Sequence, residues 1–114
     1  MSILADIQIT IEPLGIPIET GVFTDKAPAR YIVVVPLADT FDLYADNAPG
    51  VDVQEARLSL FSQGNYTAMK NAVTKALLTA DFTITERRYI GYENDTGYHH
   101  YNVDVAKHYE MEEE

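Results

Sequence analysis

The tetrad Asn94-Asp95-Thr96-Gly97 stands between two runs rich in β-branched and aromatic residues, 82–93 and 98–109. Only glycine enters the left-handed backbone region without a Cβ clash. An Asn-x-x-Gly tetrad in this setting therefore asks for a type I turn followed by a glycine bulge. That turn predicts a hairpin with Asn94 opposite Tyr98. Moving outward, Tyr92 then faces His100, Gly91 faces Tyr101, Tyr89 faces Val103, and Arg88 faces Asp104. The pairing is chemically coherent, since a tyrosine covers a bare glycine and a cation meets an anion across the ladder. Upstream, 51–61 alternates, with Ala56, Leu58 and Leu60 on one side and Glu55, Arg57 and Ser59 on the other, as a half-buried strand does. Ser62-Gln63-Gly64 breaks it and Asn65 is placed as a helix cap. Tyr66, Met69, Ala72, Val73, Ala76, Leu77 and Ala80 then form a stripe at three- and four-residue spacing, which predicts a helix over 65–80 with Met69 as core filler.

The first half of the chain is richer in loop signals, and all five prolines lie there. In 2–12, Ile7, Ile9 and Ile11 alternate as a strand would. Ile3, Leu4, Ile7, Ile11 and Leu14 follow helical spacing behind Ser2. The helical template takes in more of the apolar residues, so a short helix is expected, stopped by Pro13 and Gly15. A strand over 16–23 follows, either at an edge or starting late, because Pro17 cannot donate to a ladder. After a loop over 24–29, Arg30 to Val35 is apolar on both faces. That predicts a central strand covered on both sides and ended by Pro36. Residues 38–50 read as a long connection, yet they carry Phe41, Leu43 and Tyr44 among Asp39, Asp42 and Asp46. Such a segment either folds back over its own core or packs on a neighbouring subunit. Phe41, Leu43 and Tyr44 are the candidate interface residues.

The sum is one α+β domain over 1–114: a small mixed, mostly antiparallel sheet of about five strands, with one main helix (65–80) and a short N-terminal helix packed on one side. The acidic end, 110–114, is expected to fray. At 114 residues the chain buries enough surface to hold a core without staples. It has no cysteine, which excludes disulfides and thiolate metal sites. No apolar run approaches the roughly 18 residues of a membrane span, and no basic-then-apolar opening marks a signal peptide. The net charge of −10 argues against a surface that grips nucleic-acid phosphates. His100 and His108 share a strand face with Asp104 between them. Positions four apart in a strand are separated by roughly 13 Å, too far to hold one metal. There is no nucleophile elbow, phosphate-cradling glycine loop or His-Glu-x-x-His motif. No catalytic, cofactor or metal residues are therefore assigned, and an enzyme is not expected.

Several stretches carry a likeness to a known family. They are Leu14-Gly15-Ile16-Pro17-Ile18-Glu19-Thr20-Gly21-Val22-Phe23, Ala27-Pro28-Ala29-Arg30-Tyr31-Ile32-Val33, Ala38-Asp39-Thr40-Phe41, Ala76-Leu77-Leu78 through Phe82, and Glu93-Asn94-Asp95-Thr96-Gly97-Tyr98-His99-His100-Tyr101. In order and local phrasing the chain resembles the tail-completion or tail-terminator (head–tail joining) proteins of long-tailed bacteriophages and prophages. The resemblance implies a small mixed sheet with helices on one side. It also implies a virion structural role without catalytic residues or cofactors. The partners it implies are further copies of the chain in a hexameric ring, the tail tube protein and the head connector, with no membrane and no specific nucleic-acid binding. The chain would be made in the bacterial cytoplasm and end in the virion tail or neck. A ring of such acidic subunits would repel DNA passing through it. A neck or head–tail connector protein, a minor capsid protein, or a host peptide- or ligand-binding module are the alternatives.

Overall fold

The computed structural model describes residues 2–21, 28–45 and 48–110, with the backbone alone at 42–45, 48 and 49. Helix α1 (Ile3–Ile11) runs into a 3-10 turn at Glu12–Leu14, and Gly15 leaves that turn at φ 72°. Strands β1 (Ile18–Thr20), β2 (Arg30–Ala45) and β3 (Ala48–Ser62) precede helix α2 (Tyr66–Thr79), and strands β4 (Thr83–Tyr92) and β5 (His99–Glu110) close the fold. The sheet order is β1-β2-β3-β5-β4, with β1 parallel to β2 and every other pair antiparallel. This is the small mixed α+β sheet that the sequence led us to expect.

Both helices form where capping and periodicity agree. The Ser2 hydroxyl accepts from the Ala5 N–H at 3.5 Å, and the Asn65 side chain accepts from the Ala68 N–H at 3.2 Å. Ile3, Ile7 and Ile11 of α1 and Met69, Val73 and Leu77 of α2 are buried. They share one cluster with Ile32, Val34, Ala56, Leu58, Leu60, Val103 and Val105. The strand partners Ile32–Leu60, Val34–Leu58, Leu58–Val103 and Ala56–Val105 put these side chains on a single sheet face, so both helices cover that face. Each such side chain contributes about 1.5–3 kcal/mol of burial. Helix α2 ends with Asp81 at φ 67°. The Phe82 N–H bonds the Leu77 carbonyl and the Asp81 N–H the Leu78 carbonyl, the paired bonds of a left-handed helix terminus.

Several expectations need correction. Residues 38–45 and 48–50 are strand and not loop: β2 continues to Ala45 and β3 starts at Ala48, with Ala45 paired to Ala48 in one long hairpin. Pro36 does not end β2. It pairs with Ala56, and the register shift between Pro36 and Ala38 makes Leu37 a bulge. Proline is tolerated at bulges and on edges, and Pro36 meets both conditions. β2 is the second strand rather than the centre, and Tyr31, Val33 and Val35 on its other face are only half-buried, with no described helix over them. The first strand is short, Ile18–Thr20, and does lie at an edge. The Val22–Phe23 part of its expected span and most of the 24–29 loop lie outside the described residues. Glu110 belongs to β5, opposite Val51, and not to a frayed end. Residues 111–114 lie outside the described part.

The second hairpin is present, but its register differs. Glu93 and Tyr98 close the turn, with the Glu93 N–H bonded to the Tyr98 carbonyl and the Gly97 N–H to the Glu93 carbonyl. The loop thus spans four residues instead of three. Gly97 does take the left-handed conformation, at φ 80°. Tyr92 faces His99 and Gly91 faces His100, and a shift at Ile90 then puts Tyr89 opposite Tyr101, Arg88 opposite Asn102 and Glu86 opposite Asp104. Arg88 pairs with Glu86 at 3.2 Å on the surface. The partner of Asp104 is Arg57, across β3–β5.

Candidate interaction surfaces

The molecule extends 55 Å along its long axis and 24 × 23 Å across it. That length is the length of β2, since 16 strand residues at about 3.3 Å span roughly 53 Å. The proximal part of β2, with Ile32 and Val34, lies beneath the helices. Beyond Val35 the side chains of Pro36, Leu37, Ala38, Asp39, Thr40 and Phe41 are all exposed. Phe41, opposite Asp52, is 52% exposed. Of the three candidate interface residues, Phe41 is thus on the surface of this arm. Leu43 and Tyr44 lie in the same strand, and their side chains are outside the described part.

At the opposite edge of the sheet, β4 presents Tyr89, Ile90 and Tyr92, each exposed. The Tyr89 hydroxyl hydrogen-bonds His99 Nδ1 at 3.0 Å, and the Tyr66 ring lies 5.2 Å from Tyr89 and 5.0 Å from His99. These contacts hold the tyrosines as a fixed aromatic border.

The sheet face away from the helices is paved from β2 to β5. Tyr31 stacks on Phe61 at 4.7 Å, Phe61 stacks on His100 at 4.3 Å, and Tyr98 meets Tyr31 edge-on at 5.3 Å. Burial raises the Tyr31 pKa, aided by Tyr98 and Glu93. Burial also holds the His100 pKa below its ordinary value, which favours the neutral ring in this stack. Next along the strands, the Ser59 hydroxyl donates to Asn102 at 3.0 Å. Arg57 then grips Asp104 with two bonds, 2.8 and 3.0 Å. The hydrogen bonds to Asp104 raise the Arg57 pKa, and the carboxylate itself is largely buried. The pair fixes β3 against β5 and offers no spare group for proton transfer.

At the helix layer, a shallow groove of about 630 Å³ runs between the end of α1 and α2, lined by Ile9, Pro13, Leu14, Ala72, Ala76 and Lys75. Its walls are apolar, and Lys75 is their one charged side chain. Nearby, α1 is tied to the sheet. Gln54 Oε1 accepts from the Ile3 N–H at 2.8 Å, and the Tyr109 hydroxyl donates to Asp6, a bond that together with burial raises the tyrosine's pKa.

Among the described residues no group of three His, Asp or Glu side chains could hold a metal ion. None of their helices is long and apolar enough to cross a membrane. The candidates that stand out are therefore surfaces: an acidic arm, an aromatic edge, a paved sheet face and an apolar groove. Sequence reasoning located the arm's apolar residues but missed the Arg57–Asp104 grip, whose members lie 47 residues apart. The alternation of 51–61 had already put Arg57 on the face away from the helices, and only strand order supplies its partner. Compared with protein-family models and with curated proteins, the chain matches none.

Proposed function

We propose that this chain is a bacteriophage or prophage virion protein, a tail terminator that caps the tail tube as a ring and joins it to the head connector. The observation that carries the reading is the order and layering of elements, with a helix, an edge strand, a long hairpin, a second helix and a second hairpin, both helices on one sheet face. That layering agrees with the fold implied by the resemblance. The long arm with exposed Phe41 supports it further, since an apolar side chain on a projecting hairpin suits contact with a neighbouring subunit or the tube. The reading gives the chain no catalytic role. Its partners are further copies of itself, the tube protein and the connector protein. The net charge of −10 per subunit gives a ring that repels the DNA passing through it.

Electron microscopy of particles made with and without this chain provides the test. Without it, tails should grow past their normal length and fail to join heads. Tails of normal length that lack heads would assign the chain to the neck connector instead. Complete particles would overturn the virion reading.

A further inference from the structure

We propose that copies of this chain join edge to edge, the outer edge of β2 in one copy pairing with the outer edge of β4 in the next, so that the sheet continues from subunit to subunit. Both edges are open among the described residues. Among the described residues β1 covers β2 only from Ile32 to Val34, leaving the backbone from Val35 to Ala45 without a strand on that side. Among the described strands β4 is the last of the sheet and pairs only with β5. Open edges of such length bind other strands unless something prevents it. The two lengths are comparable, since β4 has 10 residues and the free part of β2 beyond Pro36 and the bulge at Leu37 spans 38–45.

The exposed apolar groups lie along these same two edges. The large hydrophobic side chains exposed among the described residues are Leu37 and Phe41 on β2, Tyr89, Ile90 and Tyr92 on β4, and otherwise Ile9 and Leu78 on the helices. Charge then selects the pairing. Residues 36–45 contain Asp39 and Asp42 and no basic residue, whereas β4 carries Arg87 and Arg88 against Glu86. Two β2 edges brought together repel, and so do two β4 edges. A β2 edge and a β4 edge attract, which disfavours a like-with-like dimer and favours a directional contact.

Strand direction agrees with this pairing. β2 is antiparallel to β3, β3 to β5 and β5 to β4, so β4 runs opposite to β2 within one sheet. In a neighbour that extends the sheet in the same sense, β4 meets β2 antiparallel, with the helices of both copies on one side. Each copy offers one edge of each kind. The contact is therefore heterologous and produces a closed ring or a filament. This names the interface of the self-assembly proposed above and rests on that reading. Its test uses the purified chain alone, so it can fail while the tail role stands, and the reverse.

The chain has no cysteine, so single introduced thiols report proximity directly. Thr40→Cys on β2 and Ile90→Cys on β4, each shown to be folded by circular dichroism, are mixed at millimolar concentration with a short bismaleimide. The mixed β2–β4 dimer should form about tenfold faster than either homodimer. Arg87→Glu with Arg88→Glu in the Ile90→Cys chain should remove that excess, and Asp39→Lys in the Thr40→Cys chain should restore it. Leu37→Cys in place of Thr40→Cys repeats the measurement at a second β2 position. Homodimers as fast as the mixed dimer, an absence of mixed dimer at both β2 positions, or indifference to charge reversal would each overturn the proposal.

Discussion

The two hairpins of this sheet are built from the same kind of backbone ladder and differ in what lies above them. In β2–β3 the proximal half is buried beneath α1 and α2 at Ile32, Val34, Leu58 and Leu60, while further out the pairing continues with the β2 side chains from Pro36 to Phe41 exposed. In β4–β5 the division is across the hairpin: β5 is buried at Tyr101, Val103 and Val105, whereas β4 is exposed along most of its length. Strand pairing thus extends further than the core does. Pairing supplies hydrogen bonds wherever two strands run together, but burial ends where the helices end. Among the described residues, pairing without cover is found on β2 from Pro36 to Phe41 and along the outer strand β4, two of the surfaces open to a partner.

Substitutions can break or sharpen that contrast. The largest effect should come from the proximal arm, where Leu58→Ala removes a fully buried side chain and should cost about 2–5 kcal/mol by denaturant unfolding. The matching change in the distal arm, Leu37→Ser with Phe41→Ser, should leave the isolated chain within about 0.5 kcal/mol of the parent while weakening self-association. A large loss from the distal pair would make the arm part of the core and end the contrast. Next, Arg57→Ala leaves the Asp104 carboxylate buried without its two donors and should cost about 1.5–3 kcal/mol. Arg57→Lys, which cannot reproduce the fork, should recover only part of it. Loss of stability below about 0.5 kcal/mol in Arg57→Ala would show that the two hairpins are held together by the ladder alone.

Smaller effects belong to the second hairpin. A Cβ at Gly97 would meet only the Tyr92 hydroxyl, at 3.9 Å, so Gly97→Val costs backbone strain rather than a clash, about 1–2 kcal/mol in the melting midpoint analysis. The smallest effect is a slope. Burial against Phe61 holds the His100 pKa below 6.5, with Asn102 and Glu93 opposing and Arg57 adding to the shift. As the pH falls below about 6.5 the unfolded chain takes up this proton first, so His100 contributes stability above that pH and loses it below. His100→Phe keeps a stacked ring without a titrating group. The variant should lose less stability than the parent between about pH 7 and 5, and parallel curves would remove the histidine from the account.

Much of this was legible in the chain because the relevant forces are local. The stripe from Tyr66 to Ala80, the caps at Ser2 and Asn65 and the positive φ at Gly97 each depend on a few neighbouring residues and on the geometry of one element. The arm at 38–50 was misread because Pro36, three aspartates and Pro49 are all loop signals. A period-two reading of Leu37, Asp39, Phe41 and Leu43 was available and could have recovered the strand. The surface edges were legible only in part. Arg87 and Arg88 are adjacent in the sequence, but nothing in the chain says that β4 is outermost.

What the sequence determined alone, then, is where the helices lie, which of their faces is apolar, and that 82–109 doubles back at Asn94–Gly97. Three other outcomes required the tertiary structure. The four-residue turn and the bulge at Ile90 moved the β4–β5 register away from the one the turn tetrad suggested. The arm stayed extended past Pro36 because β3 continued to offer backbone partners, and a proline at a bulge costs the ladder little. Asp104 found Arg57 rather than Arg88 because the register puts Arg57 of β3 directly opposite it, while on the β4 side its partner is Glu86 and Arg88 faces Asn102. All three depend on which strand lies beside which. Backbone hydrogen bonds set that arrangement together with the packing of a whole sheet face, and they are nearly blind to the identity of any one side chain.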